Sequence, residues 1–151
     1  MRGVEAALRA PLPHNLALNS SATWTFGEAP LTCDHQAERG PHTRIPPLNG
    51  SAELSWWHID GLELSAAMRW ATGQQRLSLA DRSDPRIPGG GTPGFVVADL
   101  RMTYEFNRAV TARVAVENVF DSAYRYHGSS INGPGRGVVG LLDFDPLFRT
   151  E

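Results

Sequence analysis

The stretch Gly94-Phe95-Val96-Val97-Ala98-Asp99-Leu100-Arg101-Met102-Thr103-Tyr104-Glu105-Phe106 decides the fold. Successive side chains of a β-strand point to opposite faces. Val96, Ala98, Leu100, Met102, Tyr104 and Phe106 therefore share one face, while Asp99, Arg101, Thr103 and Glu105 share the other. A period of two sustained this long marks a strand with one apolar and one wet side.

The same division recurs on both sides of this stretch. At Leu62 to Thr72, the residues Leu62, Leu64, Ala66, Met68 and Trp70 oppose Glu63, Ser65, Ala67 and Arg69; at Leu16 to Phe26, the residues Leu16, Leu18, Ala22, Trp24 and Phe26 oppose Asn19, Ser21, Thr23 and Thr25. Shorter versions run from Val4 to Ala10, Ala52 to His58, Val110 to Phe120 and Val138 to Phe144, for about seven strands. Several approach the roughly 9–11 residues that a tilted strand needs to cross a bilayer.

The connections alternate in length. Pro11–Asn15, Ile59–Gly61 and Asn107–Arg108 are tight turns, whereas Gly27–Gly50, Gly73–Pro93 and Asp121–Arg136 are long, polar and rich in Gly and Pro. Compact soluble domains seldom carry loops this long, but outer-membrane barrels pair short periplasmic turns with long extracellular loops. The fold expected is all-β: antiparallel up-and-down strands forming a partial transmembrane β-barrel, about seven strands of a larger one. With the short turns in the periplasm, Trp24, Phe26 and Trp70 mark the outer ends of strands, and Trp56, Tyr104, Phe106 and Phe144 the periplasmic ends. Those are the places of the two aromatic girdles. A soluble β-sandwich alternates in the same way, so periodicity leaves that rival open.

Composition narrows the function classes. The net charge of −2 comes without a basic block of the kind that tracks phosphates, which argues against nucleic acid. No run of eighteen apolar residues is present, so any membrane crossing is by strands. Residues Met1 to Arg9 lack the apolar core of a signal peptide. Cys33, Asp34, His35 and His42 share a loop, but their spacing fits no zinc pattern. Gly89-Gly90-Gly91 lacks the strand, Lys-Ser/Thr pair and helix of a phosphate-binding loop. No nucleophile or paired-carboxylate constellation appears, so no enzyme, catalytic residue, cofactor or metal ligand is expected. Glu53, Glu63, Arg69, Asp99, Arg101, Glu105, Arg113 and Glu117 read as cross-strand pairs on a wet barrel lumen. His127 reads as a polar residue of an exposed loop rather than a ligand contact.

One motif goes further. Glu117-Asn118-Val119-Phe120-Asp121, followed by Tyr124, resembles the penultimate-strand motif of TonB-dependent outer-membrane receptors, and Tyr124 to Arg136 resembles their last extracellular loop. Arg44-Ile45-Pro46-Pro47-Leu48-Asn49-Gly50 and Asp84-Pro85-Arg86-Ile87-Pro88, leading to Thr92-Pro93-Gly94-Phe95, resemble loop-to-strand passages of the same barrels. The resemblance implies a cell outer-membrane receptor that takes up a ferric siderophore or similar metal chelate. Its implied partners are outer-membrane lipid, a plug domain and the TonB complex. Family barrels have about 22 strands, so residues 1–151 are expected to be the C-terminal portion of the barrel, without its plug. The family usually ends on an aromatic residue, whereas here Phe144 is followed by Asp145-Pro146 and Phe148 by Arg149-Thr150-Glu151. A nonfunctional truncated receptor is the second reading. The ligand-contact residues are not legible in the sequence.

Overall fold

A computed structural model describes residues 1–31 and 38–145. Seven strands form one antiparallel sheet: β1 (Arg2–Leu12), β2 (Leu16–Phe26), β5 (Asn49–Ile59), β6 (Leu62–Ala71), β7 (Phe95–Asn107), β8 (Val110–Glu117) and β9 (Gly137–Phe144), paired in that order. This is an up-and-down arrangement in chain order, with a small hairpin, β3 (Glu28–Pro30) with β4 (Arg39–Pro41), inside the first long loop. The sheet is open, with β1 and β9 at its two edges.

The register keeps the two faces separate across the sheet. Ala66 lies opposite Leu54 and Leu100, Met102 opposite Leu64 and Val114, and Leu142 opposite Ala112. Among the described residues nothing covers the apolar face: Val96 is 58% exposed, Leu100 50% and Phe144 67%. A soluble sandwich would bury these side chains between two sheets, so the sandwich does not describe this chain. The pattern is that of a wall whose outer face meets hydrocarbon.

Three departures from the sequence reading have local causes. β8 stops at Glu117 rather than Phe120, because Asn118 and Asp121 both take positive φ, 49° and 53°, and turn the chain out of the sheet. β1 and β5 run beyond the stretches read from alternation, because the ladder continues through positions without hydrophobic contrast, such as Arg2, Gly3, Pro11 and Asn49. The second long loop contains a short helix, α1 (Leu79–Ser83). Its signal was present in Ser78-Leu79-Ala80-Asp81, a capping box in which the Ser78 hydroxyl accepts from the Asp81 amide and the Asp81 carboxylate accepts from the Ser78 amide.

Candidate functional site

Antiparallel connectivity gathers the three long loops at one end of the sheet and the three tight turns at the other. The loop end and the wet face are the parts with chemistry to offer.

On the wet face the charges pair across strands. Arg69 lies 3.3 Å from Asp99, and Arg101 bridges Glu53 at 2.5 Å and Asp99 at 3.7 Å, while Arg113 meets Asp143. Five of the eight charges assigned to the lumen from sequence are thus joined, with Asp143 an addition that sequence reading missed. Asp99 is the buried member, 3% exposed. Its second oxygen accepts the Asn118 backbone amide at 2.9 Å, which links the lumen network to the end of β8.

Asn118 is the hub of the last loop. Its side-chain amide donates to the carbonyls of Ser122 and Pro134, both at 3.0 Å, and its side-chain oxygen accepts the Ser122 amide at 2.9 Å. Asp121 then accepts the Arg136 amide at 2.8 Å, closing the loop on its own base. The Asn-Val-Phe-Asp run is therefore a structural bracket: it folds Tyr124 back onto the wall. Tyr124 is buried 5.1 Å from the Phe95 ring and 5.9 Å from the Tyr126 ring, with the Arg69 guanidinium 6.0 Å from its centroid. Gly133 lies against the Tyr124 ring where any Cβ would collide.

Asp81 ties the other two long loops together. It is 1% exposed and accepts from the Thr43 hydroxyl at 2.7 Å and the Arg44 amide at 3.1 Å, besides the Ser78 amide. Burial pushes its carboxyl up, but the hydrogen bonds from Thr43, Ser78 and Arg44 outweigh it and hold the carboxyl below its ordinary range. Asp84 adds salt bridges to Arg44 and Arg86. The third loop joins through His127, whose Nδ1 lies 2.9 Å from the Thr92 hydroxyl. Burial pushes the imidazole down against the pull of Asp81 and Asp84, and its Nε2 is buried without a partner. His127 is thus half-buried and engaged, not a freely exposed loop residue.

A cleft of about 300 Å³ opens between these loops, lined by Asn49, Thr92, Phe95, Arg125, Tyr126 and His127 among others. Aromatic faces, a guanidinium and an imidazole suit a ligand that is anionic and flat. A larger hollow of about 450 Å³ lies on the apolar face among Leu54, Trp56, Leu64, Leu100 and Met102. Its lining matches acyl chains rather than a polar solute.

The remaining candidates separate from this site. Cys33, Asp34 and His35, like Pro146 and Phe148, lie outside the described residues. The His42 ring nitrogen is 3.0 Å from the Thr43 carbonyl. Among the described residues no group of three or more His, Cys, Asp or Glu is placed to hold a metal ion. Gly89 and Gly90 sit in open space at a loop tip.

Comparison with known proteins agrees with this architecture. The family model for the TonB dependent receptor-like beta-barrel matches residues 1–119. The iron-regulated outer membrane virulence protein of Vibrio cholerae serotype O1 is 28% identical over 124 residues, 82% of this chain and 18% of the relative. The copper transporter OprC superposes with a TM-score of 0.74 at 21% identity, over 94% of this chain and 22% of that one. The siderophore receptor PiuA from Acinetobacter baumannii gives 0.64 at 14%, over 94% of this chain and 21% of its own. A mutant of the ferric enterobactin receptor PfeA from Pseudomonas aeruginosa gives 0.64 at 20%, over 93% and 22%. This chain thus spans about a fifth of the length of the proteins it matches.

Proposed function

Because the chain belongs to the TonB-dependent receptor β-barrel family, we propose that it forms the ligand-facing part of an outer-membrane receptor wall for a ferric siderophore or a similar anionic metal chelate. The family consists of transporters and receptors, and its full-length members reside in the outer membrane. The wall binds and passes its cargo, with no catalysis of its own. The long loops face outward, and the wet face lines the lumen around a plug that the TonB complex moves.

The observation that carries this reading is the folding of the last loop inward. It places Tyr124, Tyr126, Phe95 and Arg69 together where the loop end meets the lumen. Aromatic chelators present flat rings and negative charge, which tyrosine faces and guanidinium groups recognise. Siderophore and iron receptors among the structural neighbours support the same class. Closing the sheet requires further strands, since alone it leaves two free edges and an exposed apolar face that favour aggregation.

The test is tryptophan or tyrosine quenching of the detergent-solubilised full-length gene product, titrated with ferric catecholate, ferric hydroxamate, haem and a copper chelate. The reading expects saturable binding of at least one ferric chelate, weakened by Tyr126→Ala. Binding of the copper chelate alone would replace iron with copper as cargo, and binding of none would remove the receptor reading.

A further inference from the structure

We propose that the loop-end rim of β1 and β2 is a binding site for the phosphate-bearing headgroup of an anionic membrane lipid. The centre of the site is Phe26, the last residue of β2, which shares the apolar face with Leu16, Leu18 and Trp24. Two guanidinium groups stack on its ring. Arg2 of β1, directly opposite in the ladder, lies 4.8 Å from the centroid, and Arg76, from the loop after β6, lies 4.0 Å away. A third, Arg39 of β4, reaches the Glu28 carbonyl at 3.4 Å.

Two segments far apart in sequence thus bring arginines to one ring, and Arg39 reaches the backbone two residues further on. The acids nearby are Glu28, which accepts from Arg76 at 2.9 Å, and Glu38 beside Arg39. Arg76 also donates to the Gly27 carbonyl at 3.1 Å. Arg76 is paired with Glu28, whereas Arg2 makes no ion pair among the described residues.

Height fixes the kind of partner. β2 has 11 residues; at roughly 3.4 Å each and a tilt of about 45° they rise about 26 Å, close to the roughly 25 Å apolar band of such barrels. Phe26 therefore stands at the level of headgroups, with Trp24 beside it, ring centroids 6.0 Å apart. Beside Arg76 a cleft of about 210 Å³ runs between Trp24, Phe26, Pro47 and Leu48 on its apolar walls and Thr72 and Gln74 on its polar ones. It offers apolar surface next to a cation, as an amphiphile requires. At the turn end of the same face, Tyr104 packs on Phe106 and Trp56 on His58, and among the described residues no arginine stacks on these rings. The cationic cap belongs to one leaflet. Guanidinium forks match phosphate oxygens, and arginines at a membrane surface gain from anionic headgroups.

The inference rests on the proposed orientation, with the long loops outside. The full-length gene product in detergent is measured by native mass spectrometry with bis-phosphorylated lipid A as the probe and its dephosphorylated form as the control. The expected result is preferential retention of the phosphorylated lipid, reduced roughly tenfold or more in Arg2→Gln/Arg76→Gln, as two lost surface arginines imply. Arg2→Gln alone gives a smaller loss without touching the long loops. Equal retention by the double variant and the parent would overturn the proposal. So would displacement of the lipid by inorganic phosphate at millimolar concentration, which would mark a free-phosphate site. Orientation is read separately, by impermeant maleimide labelling of Ser129→Cys in a Cys33→Ser background on intact cells. Absence of labelling there would reverse the leaflet whatever the lipid result.

Discussion

At the turn end, neighbouring strands are joined through two or three residues, and backbone ladders do nearly all the holding: Trp57 donates to the Asn15 carbonyl, Glu105 to that of Gly61 and Asp145 to that of Ala109. At the loop end the ladders stop, and side chains hold long segments to one another: the buried Asn118, Asp81 and Asp99 and the half-buried Arg76 each bond residues many positions away. A ladder loses little when one side chain changes. A side-chain hub loses every partner at once, and the partners stay buried.

The largest effect is therefore expected at Asn118. Asn118→Ala strands the Ser122 amide and the carbonyls of Ser122 and Pro134, and places alanine at a φ of 49° that asparagine tolerates better. A cost of about 3 kcal/mol is expected for such a buried hub. Hydrogen exchange should show lost protection across residues 122–136 and unchanged protection at the tight turns. Loosening at both ends alike would refute the contrast.

Asp81→Ala comes next, at about 2 kcal/mol, because Thr43, Arg44 and Ser78 lose one shared acceptor. Limited proteolysis should then cut near Thr43 and near α1 at similar rates, since one carboxylate holds both. The turn end has its own weak point. Gly61 sits at a φ of 75°, and a Cβ there would lie 2.7 Å from the Glu105 carbonyl oxygen. Gly61→Ala should cost about 1–2 kcal/mol, seen as a lower heat-modifiability midpoint, with the loops unaffected.

Acid should open the loop end in two stages. The folded-state value of His127 is depressed below 6.5, so the folded form holds fewer protons than the unfolded one. Its contribution is present above pH 6.5 and fades as pH falls through the lowered value. The Asp81 carboxyl is depressed below 3.8, so its contribution persists until pH falls below that. Exchange at residues 124–128 should rise first and at Thr43–Arg44 only in strong acid. A simultaneous rise would mean that His127 does not govern the third loop.

The same contrast explains what could be read in advance. Seven strands, their faces and the aromatic rings at each end were legible because alternation is local: Leu62 to Trp70 carries its pattern whatever surrounds it. The Asn118 motif was visible as a likeness to a family, but its job as a bracket depends on Pro134 and Asp99, 16 and 19 positions away. Asp81 looked like one more loop acid, because nothing near it in sequence announces Thr43, 38 positions earlier. Only α1 carried a local signal that went unread, the capping box at Ser78.

The smallest effect should come from the wet face between the two ends, where Arg113 and Asp143 face each other across β8 and β9. Both side chains are about half exposed, 48% and 51%, so water and salt screen the pair. Arg113→Ala should change stability by no more than about 0.5 kcal/mol, and less at high ionic strength. Arg69→Ala is the informative partner experiment. Asp99, 3% exposed, would lose its 3.3 Å guanidinium while still holding the Asn118 amide. If the comparison of hubs and ladders is sound, Arg69→Ala loosens the last loop and Arg113→Ala does not, although both remove an arginine from the same face.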